Sequence, residues 1–188
     1  MAPVNALQLL TIPWLVSELL VFRRDAQPGG GERRDRFSRL GLFAFIGGGI
    51  GLAFQSAAMR WLALPGSPWL WLALGAPLMF AGILVRARAV AQLGAYFRTE
   101  VTLLDDHRLV TEGLYARLRH PAYTGALLTC AGVGLGTGSL VGLAAMILLP
   151  GIAFVYRIRV EERALADRFG SVWSEHRART VALIPGIW

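Results

Sequence analysis

The chain has 188 residues, 55% of them hydrophobic and only 16% charged, with a formal net charge of +7. Its mean hydropathy is positive, which excludes a disordered chain and an ordinary water-soluble domain. Cys130 is the single cysteine, so no disulfide within the chain is possible; it stands in an apolar run, where a small core residue is expected.

Charge is distributed unevenly. Residues 40–59, 61–85 and 122–156 carry no Asp, Glu, Arg or His, in stretches of 20, 25 and 35 residues. A bilayer core needs about 20 apolar residues per helix, so these runs indicate an integral membrane protein. All 19 basic residues are arginine. Cytoplasmic arginine flanking membrane spans explains the basic character better than nucleic-acid binding does.

In chain order, residues 4–22 form the first expected span. It is apolar except for Glu18 and lacks the basic start and small-residue cleavage site of a signal peptide, so it reads as retained. Glu18 lies near the end of the span and is expected to reach toward Arg23 or Arg24, with an intramembrane role as the alternative. Residues 23–39 carry six arginines around Gln27-Pro28-Gly29-Gly30-Gly31 and read as a flexible, solvated loop. The second span covers 40–59. Its Gly47-Gly48-Gly49-Ile50-Gly51 resembles a nucleotide loop only in composition, and close helix packing is expected there.

Leu64-Pro65-Gly66-Ser67-Pro68 is a turn, and Trp69 and Trp71 suit the headgroup region. The third span runs over 68–85, with a kink expected at Pro77, and continues as helix to 92. The 35-residue run would extend about 52 Å as one helix, against a core of about 30 Å. Gly132, Gly134, Gly136 and Gly138, followed by Ser139, therefore mark the turn of a tight helical hairpin with spans at 123–136 and 140–156. The expected fold is all-α: a polytopic bundle of five transmembrane helices in one membrane domain, with a cytoplasmic C-terminal helical segment. Three spans lie in 1–91 and the hairpin in 92–188.

The segments 23–39, 86–120 and 157–188 carry six arginines each, Arg60 is the remaining one, and the turns at 61–68 and 137–140 carry none. This asymmetry places the N-terminus outside and the C-terminus in the cytoplasm. The absence of lysine points to a GC-rich bacterial genome, and hence to a bacterial inner membrane. The hairpin also brings Arg119-His120-Pro121 close to 157–162.

Pro121 suits a first helical turn, which places His120 among backbone donors able to hold an anion. The alternative makes Arg117, Arg119 and His120 simple interface anchors. Glu161 and Glu162 follow the last span. At i, i+4 spacing Arg157 faces Glu161 and Arg159 faces Arg163. Adjacent glutamates point about 100° apart, so one is expected to face the hairpin cleft while the other pairs nearby. A solvated, salt-bridged helix is the alternative. No metal site is expected: Asp105-Asp106-His107 reads as a polar turn ahead of a strand-like Arg108-Leu109-Val110.

Residues 92–185, half the chain, resemble the isoprenylcysteine carboxyl methyltransferase and phospholipid methyltransferase superfamily. The resemblance rests on Leu93-Gly94 with Phe97, on the run from His107 to Tyr115, on Arg119-His120-Pro121-Ala122-Tyr123-Thr124-Gly125, on Glu161-Glu162, on Phe169-Gly170 and on Pro185. It implies S-adenosylmethionine as cofactor at the cytoplasmic end of the hairpin. Val110, Thr111, Gly113, Tyr115, Arg119, His120, Pro121, Tyr123, Gly125 and Glu162 would bind that cofactor, and Arg157 and Glu161 would stand near the transferred methyl. Trp173 and His176 depart from the tyrosines common in the family's tail.

The resemblance also implies methyl transfer to a lipophilic small-molecule or lipid acceptor arriving from the membrane. Carboxyl methylation of an isoprenylcysteine-type substrate is the leading expectation. Arg157 would position a carboxylate acceptor, and Glu161 would take a proton from an amine. Phospholipid N-methylation is the alternative activity, and a membrane scaffold or transport subunit the non-enzymatic one.

Overall fold

A computed structural model describes residues 2–25, 32–35, 37–97, 101–103 and 108–184. Six α-helices are present among them: α1 (Ala2–Asp25), α2 (Phe37–Met59), α3 (Pro68–Leu93), α4 (Pro121–Gly136), α5 (Leu140–Phe169) and α6 (Ser171–Arg179). A small antiparallel ribbon joins β1 (Glu32–Asp35) to β2 (Val101–Leu103). The segment expected to be a loop is thus partly ordered: α1 continues to Asp25, β1 pairs with β2 and α2 starts at Phe37. The strand-like stretch 108–110 has no regular structure, and Asp105-Asp106-His107 lies outside the described residues.

Among the described residues, four helices are long and apolar enough to cross a membrane: α1, α2, α3 and α5. The hairpin expected from the glycine run is present as α4 and α5. However, α4 has 16 residues, about 24 Å of helix, and is shorter than a full span. In contrast, α5 has 30 residues and carries its axis on to Phe169, well past the apolar run.

Packing follows the chain's small residues. α3 lies along α4, α2 along α5, and α4 against α5, with α1 leaning on α3. All five long helices meet in one core of Trp14, Ala53, Met79, Cys130, Val133 and Met146. Many large apolar side chains face outward, among them Leu9, Leu15, Phe43, Leu74, Leu84, Leu148 and Ile152, as lipid contact requires.

The α3–α4 contact is the tightest. A Cβ on Gly82 would meet the backbone amide of Thr129, one on Gly132 that of Met79, and one on Gly125 would lie 2.5 Å from the Arg86 amide nitrogen. Glycines seven apart on each helix (Gly75 and Gly82, Gly125 and Gly132) bring the two backbones together. Close packing expected at Gly47–Gly51 holds only for Gly49, which touches Ala145 and Met146, whereas Gly47, Gly48 and Gly51 face open space.

Two arginine-free turns are fastened together at one end of the bundle. The Leu64 amide donates to Gly138 O at 2.8 Å, Leu140 to Leu62 O at 3.0 Å, and Ser139 Oγ to Trp61 O at 2.7 Å. Ser67 and Ser139 cap α3 and α5 through their side chains. His120 and the polar turns of α5 therefore share the opposite end. At that end Glu18, expected to reach toward Arg23 or Arg24, forms a two-bonded ion pair with Arg86 of α3.

Inserting a methyl into the α3–α4 seam should separate the backbones. Gly132→Ala is expected to cost about 2 kcal/mol or more through overpacking. Gly51→Ala, with no atom near its Cβ, should be neutral or mildly stabilising. Thermal unfolding of both variants in detergent checks the contrast.

Candidate functional site

His120 immediately precedes Pro121, which occupies the first position of α4 and needs no amide hydrogen there. The residues leading to it are held by the C-terminal tail. Arg119 N–H donates to Val181 O at 2.8 Å, His120 N–H to Ala182 O at 3.1 Å, and Val181 N–H to Arg117 O at 3.2 Å. Leu118 and Val181 thus pair as a short parallel bridge, and Thr124 Oγ1 donates to Leu183 O at 2.8 Å. Tyr123 and Thr124 N–H both donate to His120 O. The backbone donors expected to hold an anion here are therefore largely taken by the chain itself.

Glu161 and Glu162 approach this segment from α5. Glu162 Oε1 accepts from Arg119 Nε at 2.7 Å and lies 3.3 Å from His120 Nε2, while its other oxygen is 3.9 Å from Arg177 Nε on α6. Glu161 Oε2 accepts from the Tyr123 hydroxyl at 3.1 Å and lies 3.9 Å from His120 Nδ1. The same hydroxyl accepts from Arg157 Nε at 3.1 Å. Both acids thus face the hairpin cleft, against the expectation that only one would. His120 lies between them, so two carboxylates about 100° apart on α5 reach opposite edges of a single imidazole. Arg157 connects to Glu161 through the Tyr123 hydroxyl.

Burial makes these contacts matter. Arg157 and His120 are 2% and 4% exposed, and the Arg119 and Glu162 side chains 8% and 14%. The Glu161 side chain, at 33%, is the most open member. Arg119 also donates through Nη1 to the Thr180 and Arg177 carbonyls, so the guanidinium ties α5 to the tail. Tyr123 rests on Phe154, their ring centroids 5.3 Å apart.

The remaining predicted residues divide by surroundings. Tyr115 is buried with Ala89 and Ala122, with Val110 packed alongside, and its hydroxyl donates to Ala89 O at 3.4 Å. Burial, with the negative charge of Glu161, pushes the Tyr115 pKa up and keeps the phenol neutral. Gly113 sits at φ +59° against the Gln92 side chain, whose Oε1 accepts from Leu114 N–H at 3.0 Å. Thr111 is exposed and Pro121 buried. Gly125 faces α3 at the Arg86 backbone.

Residues that spacing did not single out complete the site: Arg177, Thr180 and the carbonyls of 181–183. Trp173 is buried and anchors α6. His176 lies beside it, 5.9 Å between centroids. Burial lowers the His176 pKa, and the neighbouring Arg119 and His120 lower it further.

The polar end of this helical membrane bundle gathers an imidazole, two carboxylates and two buried guanidinium groups, and the chain is similar in sequence and fold to known proteins. Residues 72–167 match the isoprenylcysteine carboxyl methyltransferase (ICMT) family. Over 106 residues the chain is 33% identical to protein-S-isoprenylcysteine O-methyltransferase of Schizosaccharomyces pombe, covering 55% of this chain and 45% of that protein. It is 28% identical to protein-S-isoprenylcysteine O-methyltransferase B of Arabidopsis thaliana over 113 residues, 59% of this chain and 57% of that protein.

Among solved structures, the eukaryotic intramembrane Ras methyltransferase ICMT aligns at TM-score 0.60 and 28% identity, over 63% of this chain and 43% of that one. The chain belongs to the isoprenylcysteine carboxyl methyltransferase family. It spans about half the length of the curated relatives it matches. The apolar helices and the family together make it an integral membrane protein.

Removing one partner of a buried ion pair leaves the other uncompensated. Glu162→Ala is expected to destabilise the protein by about 3 kcal/mol. Arg163→Ala, on the exposed side of α5, should change stability by less than about 0.5 kcal/mol. Denaturant unfolding in detergent micelles measures both.

Proposed function

We propose that the protein transfers a methyl group from S-adenosylmethionine to the carboxylate of a lipophilic acceptor of the isoprenylcysteine type. The observation that carries this reading is the convergence of His120, Arg119, Tyr123 and Arg157 on the Glu161–Glu162 pair at one end of α4 and α5. The cofactor has a sulfonium, an ammonium and a carboxylate, so its site needs both signs of charge within a short distance, and this donor set provides them. When bound, it supplies an electrophilic methyl group.

The chain's own residues supply the rest. Glu162, with Arg119 and His120, would hold the polar end of the cofactor, and Pro121 and Tyr123 would line the same face. Family resemblance adds Val110, Thr111, Gly113, Tyr115 and Gly125. Arg157 would orient the acceptor carboxylate, and Glu161, the most open member of the set, would border the acceptor side. Methyl transfer between aligned atoms depends chiefly on positioning and on keeping water out, and the buried Arg157, His120 and Phe154 serve both needs.

The relatives named as protein-S-isoprenylcysteine O-methyltransferases support the acceptor class. On this reading α4 is a fifth, short span, the arginine-rich end with the tail is cytoplasmic, the N-terminus is outside, and the acceptor enters laterally from a bacterial inner membrane.

Calorimetry in detergent should show adenosylmethionine binding by the unmodified protein. Affinity should fall at least about 10-fold in His120→Ala and Glu162→Ala, and be retained in Leu70→Ala at the far turn. No binding by the unmodified protein would support a scaffold. With labelled cofactor, base-labile product on a prenylcysteine analogue is the expected outcome, whereas base-stable label on phosphatidylethanolamine would indicate N-methylation. Orientation is a separate test. In a Cys130→Ala background, a cysteine at Ala178 should be shielded from an impermeant maleimide in intact cells, and one at Pro65 should be labelled.

A further inference from the structure

One ionisable pair stands apart from the site. Arg86 Nε and Nη2 donate to the two oxygens of Glu18 at 2.5 and 2.7 Å, a planar fork on a carboxylate. The third guanidinium nitrogen, Nη1, donates to Ala122 O at 3.2 Å. One side chain of α3 thus holds α1 with two nitrogens and the first turn of α4 with the third. Both members are largely withdrawn from solvent, with side-chain exposures of 15% and 29%. The Arg86 backbone is the surface against which Gly125 packs.

Ionisable groups in membrane helices are costly, and α1 already has apolar contacts through Leu7, Leu10 and Trp14. A charged pair is not needed to attach it. What the pair adds is direction: Ala122 lies between His120 and Tyr123, and its carbonyl is fixed from outside the helix.

The geometry points to Arg86, oriented by Glu18, as a positioning residue that sets the first turn of α4 and so places the Tyr123 hydroxyl between Arg157 and Glu161. This inference rests on the methyl-transfer reading above. Its effect should fall unevenly across the site. Arg119 and His120 are held independently by the tail through Val181 O and Ala182 O, and by Glu162. Tyr123 N–H bonds within the turn, to His120 O, and among the described contacts this turn reaches the tail through one side-chain bond, Thr124 Oγ1 to Leu183 O. Loss of Arg86 should therefore impair turnover more than cofactor binding.

Three variants test this: Glu18→Gln, Arg86→Met, and the exchanged pair Glu18→Arg with Arg86→Glu. The single variants are expected to lower kcat about 10-fold or more while the calorimetric Kd for adenosylmethionine stays within about 3-fold. The exchanged pair restores opposite charges between α1 and α3, but a glutamate at 86 cannot donate to Ala122 O. It should regain melting temperature and not kcat. Recovery of kcat in the exchanged pair, or single variants with unchanged kcat, would overturn the assignment.

Hydrogen exchange provides a readout independent of activity and of the exchanged pair's folding. In Arg86→Met the amides of Tyr123 and Thr124 should exchange at least about 10-fold faster, with those of Arg119 and His120 unchanged. Equal protection at all four would overturn the assignment. If the unmodified protein neither binds the cofactor nor transfers methyl, the functional reading fails, while the exchange experiment still decides whether Arg86 orders this turn.

Discussion

The Glu162 carboxylate is the contact on which the polar end of this bundle depends. It accepts from Arg119 before α4, faces His120 and lies within 4 Å of Arg177 on α6. Segments 40 or more residues apart in sequence therefore share one negative group. Arg119 donates through Nη1 to the carbonyls of Arg177 and Thr180, so the guanidinium joins the acid to the tail. Buried charge is stable only when paired and fully hydrogen-bonded. Here the pairing also determines where α5 stops being a membrane helix and becomes a wall of the site. The 30-residue length of α5 follows from this: the apolar turns belong to the bundle, and the turns after Tyr156 carry Arg157, Glu161 and Glu162 to their partners.

The second constraint is backbone proximity. Without a hydrophobic driving force between helices in lipid, close van der Waals contact must hold them together. Glycines seven apart on α3 and α4 supply it, leaving no room for a Cβ at Gly82, Gly125 or Gly132. α4 is walled in by α3 and α5, and most of its residues are buried. Under the proposed five-span reading, a helix shielded in this way need not match the bilayer thickness itself, so its 16 residues can stand where about 20 would be needed in lipid. The short helix also brings its start, and His120 with it, to the level of the polar turns of α5.

Local signals made much of this legible. Uncharged runs located the long helices. The run Gly132, Gly134, Gly136, Gly138 and Ser139 signalled the hairpin turn, but only Gly138, at positive φ, and the capping Ser139 stand at it, whereas the other three glycines lie within α4. Hairpin geometry alone placed His120 beside the Glu pair. What stayed hidden depends on pairing at long range. The parallel bridge between Leu118 and Val181 uses backbone groups that any residue carries, so it left no trace in composition. The Glu18–Arg86 pair links positions 68 residues apart, whereas proximity in sequence favoured Arg23 and Arg24. The run at Gly47–Gly51 was conspicuous but mostly faces open space, while the glycines that matter are spread one per two turns. The ribbon pairs β1, from a segment that read as a solvated loop, with β2, for which no local signal was read.

The two adjacent acids have different surroundings, and the difference separates their roles. Glu162 accepts from Arg119 and approaches His120 and Arg177, so several partners fix its position. Glu161 is more than twice as exposed and meets the protein through a phenol that is itself held by Arg157. A neutral hydroxyl that accepts from the guanidinium and donates to the acid links the two without a direct ion pair. Under the proposed function, the fixed acid would suit the part of the site that holds the cofactor's polar end. The more open Glu161 side would suit the part that admits a carboxylate, with Arg157 and the Tyr123 hydroxyl beside it. On that reading, a buried arginine at this place favours an acidic acceptor over a headgroup amine.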